Sequence, residues 1–239
     1  MATEIAIVDA SIGETPAERN LTRELDGSDV TTTTYPVSEG RFPPSAAGDA
    51  WRYDGVVISG SQTSVYDDES WIHELTAWAR GAHRADVPML GICWGHQFLA
   101  QALGGRVVDM GEYELGYRAV ERVGDDPLFA DVPASFTAFQ THSDRVAELP
   151  PGAVELARNG HGLQAFRRGS TYGVQFHPEY DRETAEWVIG DKDLGADRLE
   201  SVRRTITDEN VAAAREAARV FENYLRIVAE HGRRPQRTL

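Results

Sequence analysis

Basic residues are scarce in this sequence of 239 residues. Lys and Arg number 24 together against 38 Asp and Glu, which gives a formal net charge of −14. Proteins that bind nucleic acid through overall charge need a basic face to displace counterions from phosphates, and no stretch of this chain concentrates Lys and Arg into one. The same shortage argues against an anionic membrane surface. We therefore expect neither nucleic acid nor a membrane among its partners.

Lysine is rarer still, because Lys192 is the only one and the other basic residues are arginines. An acidic, lysine-poor surface is typical of salt-loving organisms, in which negative charge keeps a protein in solution once salt screens its self-repulsion. A genome rich in Arg codons would explain the missing lysine but not the excess of acid. We therefore expect a halophilic protein.

Cysteine is limited to Cys93, so no disulfide can form within the chain. The amino-terminal residues lack a basic segment followed by a long apolar run, and no stretch approaches the ~18 apolar residues of a membrane span. Phosphate-binding loops of the forms GxxxxGK[ST] and GxGxxG are missing as well. The acidic run at residues 67–69 has no His or Cys spacing that would support a metal. We therefore expect a cytoplasmic protein without a cofactor or metal.

What the sequence does contain is an alternation of short apolar runs and helical patterns. Apolar runs bounded by turn residues predict buried strands, and i, i+3, i+4 spacing predicts helices. The strands fall at residues 5–8, 55–58 and 88–92, and the helices at 70–84 and 94–103. This alternation is typical of an α/β fold with a mostly parallel or mixed central sheet covered by helices.

The later part of the chain changes character twice. From residue 107 to 176 short strand-like pieces dominate, so we expect the sheet to become mixed. Beyond Glu179 the sequence is charged and helical, with Thr207 or Asp208 as an N-cap. An apolar stripe follows, made of Val211, Ala214, Ala218, Phe221, Leu225 and Val228. We predict a main domain at residues 1–180 and a C-terminal helical extension at 181–239 packed on it.

The most informative stretch is residues 91–97, Gly-Ile-Cys-Trp-Gly-His-Gln, where a buried strand is predicted to turn into a helix. A nucleophile on such a turn has an exposed side chain, and N–H groups at the helix start favour a developing anion. Gly91 and Gly95 flank the turn because side chains there would collide with the neighbouring strand and helix. Free cysteine is more often a buried structural residue, so Cys93 acts as a nucleophile only with a histidine partner.

Residues 172–179, Tyr-Gly-Val-Gln-Phe-His-Pro-Glu, supply such a partner at the end of a predicted strand. In an extended segment residues two apart point to the same side, so His177 and Glu179 can face one site together. Glu179 would orient the imidazole and stabilise its charged form. We therefore predict that His177 serves Cys93 as its base.

In combination these motifs resemble those of the class I (triad) glutamine amidotransferases, and they look closest to the amidotransferase domain of GMP synthase and its free-standing relatives. The resemblance rests on the G-x-C-x-G-x-Q elbow, on Gln-Phe-His-Pro-Glu at residues 175–179 and on a glycine turn after the strand at 56–58. It implies a flavodoxin-like fold and a triad. In that triad Cys93 is the nucleophile, His177 the general base and acid, and Glu179 the orienting member.

The resemblance also implies how the substrate is held. The backbone N–H of Gly60 or Ser61 would pair with that of Trp94 as an oxyanion hole. The family turn usually reads Gly-Gly-Pro, whereas residues 60–62 read Gly-Ser-Gln, so the hole is either preformed or depends on a partner. Gln97 matches a residue that helps to hold glutamine. A loop that grips the α-amino and carboxylate groups is matched by Thr141, Ser143 and Asp144.

The implied reaction is release of ammonia from L-glutamine through a γ-glutamyl thioester. A complete GMP synthase also needs an ATP-using domain, whose Ser-Gly-Gly-x-Asp-Ser loop is not in this sequence. A separate synthetase subunit is therefore the implied partner, unless the enzyme acts alone. Two alternatives stay open: a γ-glutamyl peptidase or hydrolase with the same triad, and a non-catalytic regulatory subunit. The helical extension leaves a docking face and a homodimer equally open.

Overall fold

The observed elements include every strand and helix expected around the elbow. A computed structural model of the chain describes residues 2–27 and 29–233. Its strands are β1 (Thr3–Asp9), β2 (Val30–Pro36), β3 (Gly55–Ile58), β4 (Met89–Ile92), β5 (Arg106–Arg122), β6 (Ser135–Glu148), β7 (Val154–Asn159), β8 (Gly162–Arg168) and β9 (Thr171–Val174). Its helices are α1 (Ala17–Leu25), α2 (Ser70–Arg84), α3 (Trp94–Ala102), α4 (Arg182–Gly190), α5 (Ala196–Arg203), α6 (Asp208–Ala214) and α7 (Arg219–Gly232). Within the described ranges, none of these helices combines the length and apolar character needed to cross a membrane.

The strands of the described ranges form one mixed sheet, in the order β2-β1-β3-β4-β9-β8-β7-β5-β6. From β2 to β9 in this order neighbours pair in parallel, and from β9 to β6 they pair antiparallel. The expected change to a mixed sheet is therefore confirmed. Because β3, β4 and β9 run parallel side by side, their carboxyl ends meet at one edge of the sheet. Residues that directly follow these three strands are brought together there.

Helices cover both faces of the sheet, as the periodicity of β1 already requires. Ile5 and Ile7 enter a core cluster with residues of α1 and α7. Ala6 and Val8 point the other way, into a cluster with residues of α2 and α3. Since successive side chains of a strand alternate between faces, a strand that is apolar at every position must be buried on both sides. The first strand is therefore covered on both faces, and it pairs with β2 on one side and β3 on the other.

Two elements, α1 and β2, were not expected from the sequence. The strand β2 contains four consecutive threonines and lies at the edge of the sheet, paired in parallel with β1. Threonine is β-branched and suits a strand, but a polar run gives no apolar signal. Among the strand-like pieces expected after residue 107, Val107-Val108 and residues 120–122 fall on one long strand, β5, and Val123 follows its end. The register of β5 with β6 shifts between Asp109 and Glu114.

The apolar stripe near the C-terminus spans two helices and not one. Thr207 caps α6 by accepting a hydrogen bond from the Asn210 N–H at 3.1 Å, as expected for one of the two candidate caps. The chain turns at residues 215–218, and α7 carries Phe221 and Val228 into the core cluster of β1. The proposed boundary at residue 180 stays a prediction, and residues 234–239 of the extension lie outside the described residues.

Candidate active site

Cys93 occupies a sharp turn between β4 and α3. Its backbone has φ 51° and ψ −102°, a conformation that L-residues other than glycine seldom adopt. The neighbouring glycines are required by contact with the backbone. A Cβ on Gly91 would lie 2.3 Å from the Gly95 carbonyl oxygen, and one on Gly95 would lie 2.5 Å from that of Ile58. The turn therefore has the geometry of a nucleophile elbow, as the glycine spacing predicts.

His177 and Glu179 follow β9 and face the elbow. Glu179 Oε1 lies 2.7 Å from His177 Nδ1, and both side chains are buried. The His177 N–H donates to the Phe139 carbonyl oxygen at 2.9 Å, which fixes the backbone beside β6. Burial lowers the pKa of His177, but the charges of Glu179 and Cys93 outweigh it and raise this pKa to about 10. The imidazole is therefore cationic at neutral pH when it faces a thiolate.

The glycine turn after β3 lies against the same pair of side chains. A Cβ on Gly60 would be 3.2 Å from His177 Cε1 and 3.9 Å from Cys93 Cβ. Ser61 is partly exposed, and its hydroxyl lies 3.1 Å from that of Thr63. Trp94 is the first residue of α3 and its side chain is buried. Gly60 is thus beside Cys93, Ser61 follows Gly60 directly, and Trp94 follows Cys93 directly.

Residues 141–144, Thr-His-Ser-Asp, match a family loop but form part of strand β6 in this protein. This segment, for which we keep the name Thr-His-Ser-Asp loop, forms another wall of the site. The carboxylate of Asp144 accepts hydrogen bonds from Ser64 Oγ at 2.7 Å and from Tyr66 Oη at 3.0 Å. Gln97 Nε2 donates to the Asp144 carbonyl oxygen at 2.9 Å and to Gln175 Oε1 at 3.0 Å. The Gln97 amide nitrogen is therefore committed inside the protein, where it holds the loop in place.

A second histidine and carboxylate pair stands behind this loop. His142 Nε2 lies 3.0 Å from Glu114 Oε2, and both side chains are buried. Asn159 Nδ2 donates to the other Glu114 oxygen at 2.7 Å, while His142 Nδ1 lies 2.9 Å from the Asp144 carbonyl oxygen. The Glu-Leu-Gly-Tyr segment at residues 114–117 is thereby joined to the Thr-His-Ser-Asp loop. The Glu-Leu-Gly-Tyr segment thus contacts the site through the Thr-His-Ser-Asp loop.

The elbow histidine has a different environment. His96 is fully buried in α3, beside Phe166 and against Gly173, where a Cβ would lie 2.8 Å from His96 Nδ1. Burial lowers its pKa to about 3, so the ring is neutral at neutral pH. His96 is absent from the cavity lining, and its role is to pack α3 on the sheet.

The predicted site residues line one cavity of about 220 Å³. All the residues predicted for catalysis, for the oxyanion hole and for substrate binding line it, namely Cys93, His177, Glu179, Gly60, Ser61, Trp94, Gln97, Thr141, Ser143 and Asp144. Their common location agrees with the meeting of the strand ends. Within the described ranges, no group of three or more His, Cys, Asp or Glu side chains is placed to hold a metal ion.

Several lining residues were missed by sequence reasoning. Tyr180 stacks on His177 with ring centroids 4.0 Å apart and planes 24° apart. Tyr113 reaches the cavity from β5, and Trp187 and Lys192 reach it from α4 and the residues after it. Tyr180 directly follows the His-Pro-Glu motif, so its position gave a signal. Tyr113 directly precedes the Glu-Leu-Gly-Tyr segment. Trp187 and Lys192 lie far from any motif, and only the rarity of lysine marked Lys192.

The fold and the elbow define a class, that of α/β proteins with a cysteine at a strained strand-to-helix turn. The model of the family described as "Glutamine amidotransferase class-I" matches residues 14–190. Since this match covers more than half of the sequence, the chain belongs to the class I glutamine amidotransferase family. The expected fold, family and glutamine amidotransferase function are thereby confirmed at the level of the family.

Relatives share this domain but are much longer. The GMP synthase [glutamine-hydrolyzing] of Thermomicrobium roseum is 42% identical over 126 residues, which are 52% of this chain and 23% of that protein. The protein of the same name from Aquifex aeolicus is 29% identical over 180 residues, which are 67% of this chain and 34% of that protein. The matched segments thus span about a quarter of the first relative and about a third of the second.

Two solved structures resemble this chain over nearly all of its length. A glutamine amido transferase from Methylobacillus flagellatus has a TM-score of 0.79 and 25% identity, and the match covers 95% of this chain and 96% of that one. A glutamine amidotransferase from Thermotoga maritima has a TM-score of 0.73 and 24% identity, with coverage of 97% and 98%. The second likeness concerns the fold alone.

Proposed function

We propose that this protein hydrolyses the side-chain amide of L-glutamine with Cys93 as nucleophile, His177 as general base and acid, and Glu179 as the orienting carboxylate. The observation that carries the proposal is the shared cavity, where the strained turn of Cys93 faces a buried imidazole and carboxylate pair. Family membership supports the same reaction. The charged imidazole stabilises the thiolate form of Cys93, which is the nucleophilic form.

The reaction proceeds in two balanced stages. The Cys93 thiolate attacks the amide carbon of glutamine, and His177 gives its proton to the leaving nitrogen as the C–N bond breaks, which releases ammonia. A γ-glutamyl thioester remains on Cys93. Neutral His177 then takes a proton from water, and the hydroxide adds to the thioester carbon. The C–S bond breaks, glutamate leaves, and the thiolate and imidazolium are restored.

The backbone N–H groups of Gly60 or Ser61 and of Trp94 are proposed to hold the oxyanion of both tetrahedral intermediates. Each donor of this kind is worth roughly 3 to 4 kcal/mol of barrier. The closeness of Gly60 to His177 and Cys93 supports this assignment. A side chain at residue 61 restricts rotation of this peptide, so the proposal favours a hole that is fixed by the turn or completed by a partner.

The Thr-His-Ser-Asp loop is proposed to bind the amino acid end of glutamine. Asp144 presents a buried carboxylate whose position is fixed by two hydroxyl groups, and a carboxylate suits the α-amino group of the substrate. Thr141 and Ser143 line the cavity beside it. Gln97 acts in this proposal through the loop, because its amide nitrogen already binds the Asp144 carbonyl group.

The ammonia is proposed to pass to a synthetase, since the two relatives above are named as glutamine-hydrolysing GMP synthases.

We further propose that residues 1–180 form the amidotransferase domain and 181–239 a helical extension. A cytoplasmic location and adaptation to salt are proposed from the single cysteine and the charge of −14. We also propose that the protein forms a homodimer through its C-terminal helices.

Steady-state assays test the central proposal. Purified protein is given L-glutamine, or a panel of γ-glutamyl dipeptides, alone and with candidate synthetases. We expect ammonia from glutamine, and Cys93→Ala should reduce the rate by at least about 10⁴-fold. Turnover of dipeptides with none of glutamine would favour the peptidase alternative. Activity that survives in Cys93→Ala would overturn the mechanism, and inactivity of the wild type on all substrates would favour the regulatory subunit.

A further inference from the structure

The wall of the cavity formed by α4 and the residues after it has no part in the reaction proposed above. It includes Lys192, the only lysine of the chain, which is half-buried. Ammonia is the leaving group of glutamine and needs no such wall for recognition. A cationic side chain at this wall is instead suited to pair with an anionic group of the substrate.

The basic side chains of the cavity differ in what they face. His142 and His177 line it, but they face Glu114 at 3.0 Å and Glu179 at 2.7 Å. Within the part of the chain that the structure describes, no carboxylate lies within 4.0 Å of Lys192 Nζ. Its close neighbour is the ring of Tyr113, whose centroid is 5.1 Å away. Among these three groups, only the ammonium lacks a carboxylate partner in the described ranges.

The position of Tyr113 relates this ammonium to the substrate loop. The Tyr113 hydroxyl lies 3.0 Å from Thr141 Oγ1, so the ring below Lys192 joins the wall that contains Asp144. An amino acid carries one cationic and one anionic group on its α-carbon. Asp144 offers a negative charge held by two hydroxyl groups, and Lys192 offers a positive charge, so the two complement the charges of an amino acid.

We propose that Lys192 binds a carboxylate of the γ-glutamyl substrate and so determines specificity. This inference rests on the proposed function, because it concerns the same cavity. Two carboxylates have the required chemistry: the α-carboxylate of the glutamyl group, and a carboxylate on the amine that leaves. The contact between Tyr113 and the Thr141 loop favours the α-carboxylate.

Binding and turnover are measured separately to test this. In a Cys93→Ala background, calorimetry gives the dissociation constants of L-glutamine, L-glutamine α-amide, γ-glutamylglycine and γ-glutamylmethylamide. Adding Lys192→Met should weaken L-glutamine binding about tenfold, as expected for loss of one charged hydrogen bond, and should leave the α-amide unchanged. Lys192→Arg should restore most of the affinity. In otherwise wild-type protein, Lys192→Met should raise KM about tenfold and change kcat less than about twofold.

Asp191, the preceding residue, also lines the cavity and supplies the control. Asp191→Asn changes the charge of the same rim by one unit and should not weaken binding of glutamine. If Lys192→Met weakens only γ-glutamylglycine and not γ-glutamylmethylamide, the carboxylate is on the leaving amine and the inference still stands. Equal weakening of all four compounds, no weakening, or no binding of any compound overturns it. Binding that depends on Lys192 without turnover by active protein would instead overturn the proposed function alone.

Discussion

At the scale of single residues, Cys93 holds a backbone conformation that costs on the order of 1 to 3 kcal/mol and must be offset by its surroundings. Its N–H donates to the Val174 carbonyl oxygen at 2.8 Å, and its own carbonyl oxygen accepts from the Gln97 N–H at 3.1 Å. Both partners belong to rigid elements or follow them directly. The direction of the thiol is therefore set by the backbone.

The pKa of His177 leads to a prediction about stability and pH. A histidine whose pKa rises from 6.5 to about 10 on folding stabilises the folded state fully below pH 6.5, and this contribution is lost as the pH rises through about 10. Glu179→Gln removes the carboxylate that raises this pKa. We expect the variant to lose more than about 1 kcal/mol of unfolding free energy at pH 6.5 and less at pH 10. Urea unfolding at several pH values measures this.

Glu183→Gln is the matched control for that experiment. Glu183 is an exposed carboxylate on α4, paired with Arg19 at 3.2 Å, with 77% of its side chain accessible. Its removal should leave the pH profile of stability unchanged, because exposed ion pairs contribute little. If the free energy of unfolding varied with pH in the same way in the wild type and in Glu179→Gln, the Glu179 carboxylate would not determine the charge of His177.

At the scale of elements, the elbow depends on close approach between β4, α3 and β3. Gly91→Ala places a Cβ 2.3 Å from the backbone oxygen of Gly95, which cannot move without moving α3. We expect this variant to lose about 3 kcal/mol or more of unfolding free energy, together with glutamine hydrolysis. Chemical unfolding and the ammonia assay measure the two effects.

Gly81→Ala is the control within a helix of the same fold. Gly81 lies in α2 with no atom within 4 Å of an added Cβ, and alanine is a better helix former. This variant should gain roughly 1 kcal/mol of stability and keep its activity. If Gly91→Ala were as stable as Gly81→Ala, the close packing described for the elbow would be wrong.

The C-terminal helices show how far sequence patterns reach at this scale. The apolar stripe correctly indicated buried helical residues, and Thr207 was a correct cap. A periodic stripe does not report the turn at residues 215–218, because apolar residues on either side of a turn can keep the same spacing. The stripe also does not identify the element against which a helix packs. Tyr224 of α7 donates to the Pro88 carbonyl oxygen at 2.9 Å and accepts from the Val56 N–H at 2.9 Å, so α7 is bound to the ends of β3 and β4.

At the scale of the whole molecule, the charge of −14 predicts a dependence on salt. Self-repulsion destabilises a compact state, and at 1 M salt the screening length falls to about 3 Å. We expect the unfolding temperature at pH 7.5 to rise by roughly 3 °C or more between 0.05 and ~1 M KCl, equivalent to about 1 kcal/mol. Calorimetric scans at several KCl concentrations measure it.

The control uses the same protein at another pH. Near pH 5, close to the isoelectric point of about 4.9, the net charge nearly vanishes and the effect of KCl should be much smaller. An equal rise at both pH values would assign the effect to general salting-out. A fall at pH 7.5 would mean that screening of local ion pairs outweighs the repulsion.

The elbow, the His177 and Glu179 pair and the mixed α/β sheet could be predicted from the sequence because they depend on local rules, and the family was recognised from its motifs. Glycine spacing specifies a strained turn, and the two-residue period of an extended segment places two side chains on one side. The far wall of the cavity was decided only by the tertiary structure. Tyr113 and Lys192 come from distant elements, and their meeting depends on how β5 and α4 pack around strand ends, which no local pattern encodes.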